Sequence, residues 1–503
     1  MRLVRTFLSL LALVSTAVEG RSATGQRVLV IVEHAINRAD YSQFWDSLQA
    51  RGFELTFKGP KEETHQLVEY GERNFDHLIM MTPSTSSFAD HLRPIRLLPT
   101  LLESGINTLF LSSPSQTDAT SSLYREFDLE FSPSQTSLLT HNPLPGKSGS
   151  YVAFDLEDGL HGEVPLSVIP ESVRQKGRSA SSGVGRKMVV PEGLTHTPGS
   201  NPFLIPVLHA PPGTFTGDLP RLSSSDDSSE EDYDDDNERR TKNKLQQVIA
   251  GEEAGLVSVF QSRSNVRFGW VGSVGMVKDD VWTAETLNPE FISSLTSWIF
   301  QETGVVKVLS TEHYRIREAA NGGAEDGTIK ETRDRFKGYT VKEDVTYEIA
   351  LAQHDPSSSS SSSLNASYVP FEIDDLQLDF TMLDPHIRTS IPFAGEVVTS
   401  SGIRAGLYRK TFQVPDRHGV FKFVVDWWRP GYSFVHESDT TSVVPFRHDE
   451  YPRFIRGAFP FYTGAGLVSG GFLVFCWLWM HLGVEGDKVG RGNGVEKEGK
   501  KTK

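Results

Sequence analysis

Cysteine is nearly absent from this chain. Cys476 is the single cysteine in 503 residues, and it falls inside an apolar run near the carboxyl end. The body of the protein therefore has no disulfide, no thiolate nucleophile and no cysteine metal site, and cores of ordinary domain size must hold it. Cations are also in deficit: 50 Lys and Arg stand against 65 Asp and Glu, a formal charge of −15, which argues against a nucleic-acid partner. No G-x-G-x-x-G and no P-loop follows the first internal apolar run, 27–32, so a phosphate cradle lacks its backbone donors there. Nothing in these patterns implies a cofactor.

What the chain does have is an apolar segment near each end. Arg2 and Arg5 precede an apolar run at 7–18, with small residues Ser15, Ala17 and Gly20 where a peptidase can cut, so 1–20 reads as a signal peptide. The second segment, 461–484, crosses the roughly 30 Å hydrocarbon core with some tilt at about 1.5 Å per residue. Phe459, Phe461 and Tyr462 at one end and Trp477 and Trp479 at the other suit the two headgroup layers. A cleaved signal with one later span predicts a single-pass type I protein, its body in the lumen and its tail, 485–503, in the cytosol. Lys500 and Lys501 stand fourth and third from the carboxyl end and read as a dilysine retrieval address for the COPI coat, which predicts the endoplasmic reticulum membrane. Arg447, Arg453 and Arg456 flank the lumenal side, so the charge bias is secondary to the signal peptide. Gly466 and Gly470 form a G-x-x-x-G that clears a strip for a partner helix, although glycine is also common in membrane helices.

Residues 21–460 remain, a length for two or three domains. From 25 to 310 short apolar runs alternate with helical patterns. The run 27–32 is continuous and β-branched, as a buried parallel strand is. Tyr41, Phe44, Trp45 and Leu48 then recur at helical spacing and Gly52 closes the helix. Strands are expected at 53–57, 77–81 and 106–111, with a proline-broken helix at 92–102. Strands at 255–260 and 266–273 and a helix at 289–302 complete the layer. The rhythm predicts a Rossmann-like parallel sheet covered by helices. An acidic insertion, 223–237, has almost nothing apolar to bury and reads as disordered. The stretch 140–220 suggests strands on long loops, with 177–185 mobile.

From 311 to 455 the pattern is strands alone, at 345–351, 371–380, 407–414 and 419–427, which predicts a β-sandwich next to the membrane. A serine run, 357–363, is a loop within it, and Asn365 beside that run opens an N-x-S acceptor expected to carry a glycan.

Few residues offer chemistry. Glu33 and His34 follow the first strand, where an open α/β sheet binds ligands, and form either an acid/base pair or a polar loop. Asp234, Asp235 and Asp236 mimic a metal-binding D-x-D but sit in a solvated charge run that cannot fix octahedral geometry. Trp427 beside Asp426 ends an alternating strand and fits a core; 272–275 has no nucleophile pattern and 84–87 no His-Asp relay.

Several stretches resemble one family in order, spacing and topology. They are 51–58 (RGFELTFK), Tyr70 to Glu72, Asp76 to Ile79 with Pro83 and Ser84, and 298–304 (WIFQETG). Nearer the membrane come Gly431 and Tyr432, 443–447, 450–455 (EYPRFI), 458–462 (AFPFY) and the dilysine tail. Over nearly its whole length the chain resembles the 48-kDa subunit family of the endoplasmic reticulum oligosaccharyltransferase, which transfers a glycan from dolichyl diphosphate to Asn side chains of nascent polypeptides. The insertions at 223–237 and 357–363 depart from the family and look like loop elaborations. The resemblance implies a non-catalytic subunit that packs on sister subunits, including a polytopic catalytic one carrying the acidic metal ligands. Two other readings share some features: a type I cargo or quality-control receptor, and a lumenal hydrolase or amidotransferase-like enzyme whose nucleophile the sequence does not display.

Overall fold

The computed structural model describes residues 22–62, 66–143, 146–178, 186–218, 249–318, 328–332, 338–356, 368–451 and 453–489. The expected signal peptide, the acidic insertion with Asp234 to Asp236, the serine run, Asn365, Lys500 and Lys501 lie outside the described residues, as does most of 177–185.

The first region is built on a sheet whose spatial order begins Glu54–Lys58, Arg27–Val32, His77–Met81, Asn107–Leu111, Arg267–Val271, all parallel. Both faces are covered. Val28 and Val30 enter one core with Phe44, Leu48, Phe291 and Trp298 of the helices Ser42–Ala50 and Asn288–Ile299. Leu29 and Ile31 enter the other with Leu97, Leu101 and Leu123 of Pro94–Ser104 and Asp118–Arg125. This period-two division is what the continuous apolar run requires. The helix expected to break at its prolines does so only in part: Asp90–Leu92 is a single 3-10 turn and the α-helix starts afresh with Pro94 at its first position, but Pro94–Ser104 then runs on through Pro99 without a break.

The sheet is not parallel throughout. Gly255–Gln261 runs antiparallel to Arg267–Val271, and His196–Pro198, Leu204–His209 and Leu129–Phe131 extend that antiparallel edge. The physical reason is the connection at 262–266, which is too short for a crossover and closes as a hairpin with Asn265 at φ 66. Strands within 140–220 also form two small ribbons, Tyr151–Phe154 with Met188–Pro191, and Thr214–Asp218 with the preceding strand Thr136–Thr140.

The second region is mostly β. A six-stranded sheet includes Val306–Glu318, Asp344–His354, Arg404–Gln413 and Phe393–Val398; a five-stranded sheet includes Val435–Val444, Gly419–Trp427, Gln377–Thr381 and Pro385–Ser390. The two share one core, in which Tyr347, Ile349 and Leu351 of the first meet Phe380, Phe421 and Phe423 of the second. Phe380 and Phe421 stack with ring centroids 4.6 Å apart. Trp427 is buried, its Nε1 donating to Asp375 Oδ1 at 2.9 Å, as a core position demands.

The described chain ends in the 31-residue helix Phe459–Val489, the one helix among the described residues long and apolar enough to cross a membrane.

Candidate functional site

Two gatherings of polar side chains among the described residues bear most on function: a cleft at the carboxyl ends of the parallel strands and the junction between the two regions. The cleft opens where strand order reverses: Arg27–Val32 has Glu54–Lys58 on one side and His77–Met81 on the other, so the loops leaving them diverge. Glu33, 7% exposed, ties the two sides together. Its Oε2 accepts from Ser84 N at 2.9 Å, Ser84 Oγ at 2.8 Å and Thr85 Oγ1 at 3.3 Å. His34 is exposed. The acid/base alternative for Glu33 and His34 thus finds a carboxylate engaged in a structural tie, and the serine loop at 84–87 supplies its donors.

Two adjoining cavities of about 350 and 670 Å³ flank the tie, with Glu33 and Ile36 in both. The smaller is walled by Tyr41, Lys147, Tyr151, Glu192, Lys278 and Asp280 among others. A tertiary cap positions this wall. Asp279 accepts from Ser42 N and Gln43 N, both at 3.0 Å, and from Ser42 Oγ at 2.7 Å, filling the amino end of helix Ser42–Ala50. Lys278 and Asp280 are thereby held at the cavity. Burial, then the charges of Asp40, Asp280 and Glu33, push the Tyr41 hydroxyl up to about 12, so it stays neutral. Lys147 Nζ lies 4.5 Å from the Tyr151 ring centroid. Glu192 takes φ 46, a left-handed conformation that a glutamate rarely adopts.

The junction is a network of buried and half-buried donors on backbone carbonyls. Trp298 Nε1 and Ser167 Oγ both donate to Gly431 O, at 2.8 and 2.9 Å. Ser433 N donates to Gly304 O at 3.0 Å, and Gln261 Nε2 to Tyr432 O at 2.8 Å. Arg267 is fully buried, lies over the Trp298 ring and donates to the carbonyls of Trp298, Thr303 and Gly304 at 2.7–2.8 Å. Burial lowers its guanidinium to about 9, which leaves it charged at neutral pH. Gly431 (φ 84) and Gly304 (φ 68) face each other so closely that a Cβ on Gly304 would stand 2.3 Å from Gly431 O.

Of the residues singled out from sequence, Gly466 and Gly470 lie on the long helix, where an added Cβ would meet nothing within 4 Å. Asn365, Lys500 and Lys501 fall outside the described residues. Lys278, Asp280 and Tyr151 were not legible as cleft residues, because only the cap by Asp279 and the remote strand pairing of Tyr151–Phe154 bring them beside Glu33. Gly431 stood out only as part of a matching stretch; its interdomain role comes from partners far along the chain.

Comparison with known proteins places these features in context. Residues 19–302 match the family described as OST48, N-terminal domain, and residues 326–483 the OST48 middle domain. The dolichyl-diphosphooligosaccharide–protein glycosyltransferase 48 kDa subunit of Danio rerio is 28% identical over 474 residues, 91% of this chain and 92% of that one. The same enzyme's subunit wbp1 of Schizosaccharomyces pombe is 28% identical over 464 residues, with 91% and 92% covered. The 48 kDa subunit of Caenorhabditis elegans is 26% identical over 478 residues, with 92% and 94% covered. The stretches 51–58, 298–304 and 431–432, which carry the resemblance in sequence, supply Arg51, Trp298, Gly304 and Gly431 to the buried network of the fold, and the chain belongs to the OST48 family.

Proposed function

We propose that this chain is a non-catalytic, membrane-anchored subunit of an oligosaccharyltransferase complex, which moves an oligosaccharide from dolichyl diphosphate to asparagine. The observation that carries the reading is family membership along the chain combined with a clasped two-region body followed by one apolar helix. A body of this kind suits holding other subunits in register, and the chemistry falls to a polytopic partner.

In this reading 1–20 is a cleaved signal peptide, 25–310 is a Rossmann-like lumenal domain and 311–455 is a lumenal β-sandwich, with strand Val306–Glu318 carrying the chain from one to the other. Residues 461–484 span the endoplasmic reticulum membrane, and 485–503 present Lys500 and Lys501 to the COPI coat. Gly466 and Gly470 receive a partner helix, and Asn365 carries a glycan.

The test is affinity purification of the full-length chain in mild detergent, assayed for transfer of a lipid-linked oligosaccharide to an Asn-x-Thr peptide. Transfer activity recovered with a multi-spanning partner is expected. A chain recovered alone or with soluble clients, under conditions that preserve the native enzyme, would favour a cargo or quality-control receptor.

A further inference from the structure

The end of the second region from which the chain leaves for the long helix carries apolar side chains that none of the described residues covers. The turn after Gln377–Thr381, the first residues of Gly419–Trp427 and the last of Val435–Val444 lie together there. Thr381 pairs with Lys422, Gly419 pairs with Val443, and a Cβ on Gly419 would stand 2.8 Å from Met382 Sδ. Leu383 in that turn is 93% exposed. Val420 and Val444 are exposed too, on the outer face of their sheet, because their neighbours Phe421 and Val443 point into the shared core. Val420 is opposite Ser442, which makes Val444 its diagonal neighbour.

The path from this end to the helix is short. Phe446 packs against the shared core, and its ring centroid lies 5.6 Å from that of Tyr451. Phe454 in turn lies 5.1 Å from Tyr462, at the start of the helix Phe459–Val489. Only the step from Tyr451 to Phe454 separates the two ring pairs, at most about 11 Å of backbone. The exposed end of the second region is thereby tethered close to the level at which the helix enters a bilayer.

Tyr451, Phe454 and Ile455 on this path are exposed as well. Arg417, Arg453 and Arg456 are exposed beside these apolar groups and make no ion pair and no side-chain hydrogen bond with the described residues. The patch is thus apolar, edged by open guanidinium groups and continuous with the aromatic start of an apolar helix. A headgroup layer meets all of these features, with phosphates for the arginines and an apolar boundary for the aliphatic and aromatic side chains. A folded domain docked on the same end would have to enter between it and the bilayer, where the short tether leaves little space.

We propose that this end of the second region rests on the bilayer surface, with Leu383, Val420 and Ile455 at the level of the headgroups and Arg417, Arg453 and Arg456 on lipid phosphates. The contact rests on the reading of Phe459–Val489 as a membrane span. It adds a second, peripheral anchor, so that the body does not swing on its linker.

The experiment uses the full-length chain alone, reconstituted in phosphatidylcholine bilayers, with Cys476→Ala and one new cysteine at a time carrying a nitroxide. Cys476 is the single native cysteine, so each label reports one place. Labels go to Leu383→Cys and Val420→Cys at the proposed contact, and to Leu473→Cys within the helix. Val398→Cys is the control, since Val398 is apolar and exposed at the opposite end of the region. A water-soluble nickel chelate should relax the labels at 383 and 420 several-fold less than the label at 398, and should reach the label at 473 least. Leu383→Asp should raise nickel access at 420 without moving the thermal midpoint, since the Leu383 side chain stands in the open. Labels at 383 and 420 as open to nickel as that at 398, with 473 still protected, would overturn the contact and leave the span standing. Protection at 383 that arises only when other subunits are bound would make this end a protein interface, and dipolar broadening between labels at 383 would assign it to a second copy of this chain; either result overturns the proposal. A label at 473 open to nickel would sink the span itself, and the contact with it.

Discussion

Arg51 and Glu302 lie 251 positions apart and are buried together, Nη1 to Oε1 at 2.9 Å. Arg51 also donates to Ser297 Oγ at 2.7 Å and Thr296 Oγ1 at 2.8 Å, so the helix Asn288–Ile299 is anchored to the turn after Ser42–Ala50. A buried pair of this kind adds little over an apolar replacement, but removing one partner strands the other. Arg51→Met should therefore destabilise the protein by about 3 kcal/mol or more, read as a fall in the thermal midpoint of the full-length chain in detergent. Arg51→Met combined with Glu302→Met should recover part of that loss, and a double variant worse than the single one would contradict the account. His77 and His196 give a pH signature. Burial is the main cause that lowers them, to about 4 and about 3, against an unfolded value of about 6.5. Below about 6.5 the unfolded chain binds protons that the folded chain does not, so stability is full above that pH and falls as pH drops toward the folded values. The slope is about 1.4 kcal/mol per unit for each histidine. Midpoints should decline from pH 6.5 to 4, and His77→Gln should flatten the decline; an unchanged slope would remove His77 from the explanation. At this scale the sequence showed which stretches mattered and little of why. Arg51, His77 and Trp298 all sit in stretches that resemble the family, yet their partners Glu302, Asn107 and Gly431 are remote, and no local pattern pairs them.

Elements were more legible, because each carries its own period and stop signals. The strands at 27–32 and 77–81, the helix closed by Gly52 and the strand 419–427 are all where apolar spacing puts them. Strand direction was not, since Gly255–Gln261 is as apolar as a parallel strand and only its hairpin to Arg267–Val271 reverses it. The long helix poses a different question. Its glycines at 464, 466, 470 and 471 have open space beyond an added Cβ, so larger side chains there disturb nothing within this chain. A Gly466→Leu, Gly470→Leu double variant should accumulate normally and bring down several-fold less transfer activity after detergent extraction, in keeping with a helix contact of about 1–2 kcal/mol. Undiminished recovery would assign the glycines to lipid instead of a partner.

At the scale of the whole molecule, what matters is that the cleft and the membrane helix belong to different regions. The first region is fixed to the second at Gly304 and Gly431, where backbone meets backbone and no side chain has room. An added Cβ at Gly431 would stand 2.2 Å from Ser167 Oγ and 2.7 Å from Pro165 Cβ, at a φ of 84 that L residues avoid. Gly431→Ala should thus weaken both hydrogen bonds to Gly431 O and add left-handed strain, about 2–4 kcal/mol in all. Trp298→Phe keeps the ring in the core but loses its donor to that carbonyl, for about 1 kcal/mol. Neither change touches the cleft or the long helix, so the expected result is specific. Calorimetry should resolve two transitions where the parent shows one, and protease should gain access near 302–306. Transfer activity should fall in Gly431→Ala while subunits still co-purify, because the first region would no longer be held in register with the second and with the subunits packed on it. One transition with full activity in Gly431→Ala would mean that the clasp is packing without consequence for register. A loss of co-purification in both variants would move the role of the junction from register to assembly.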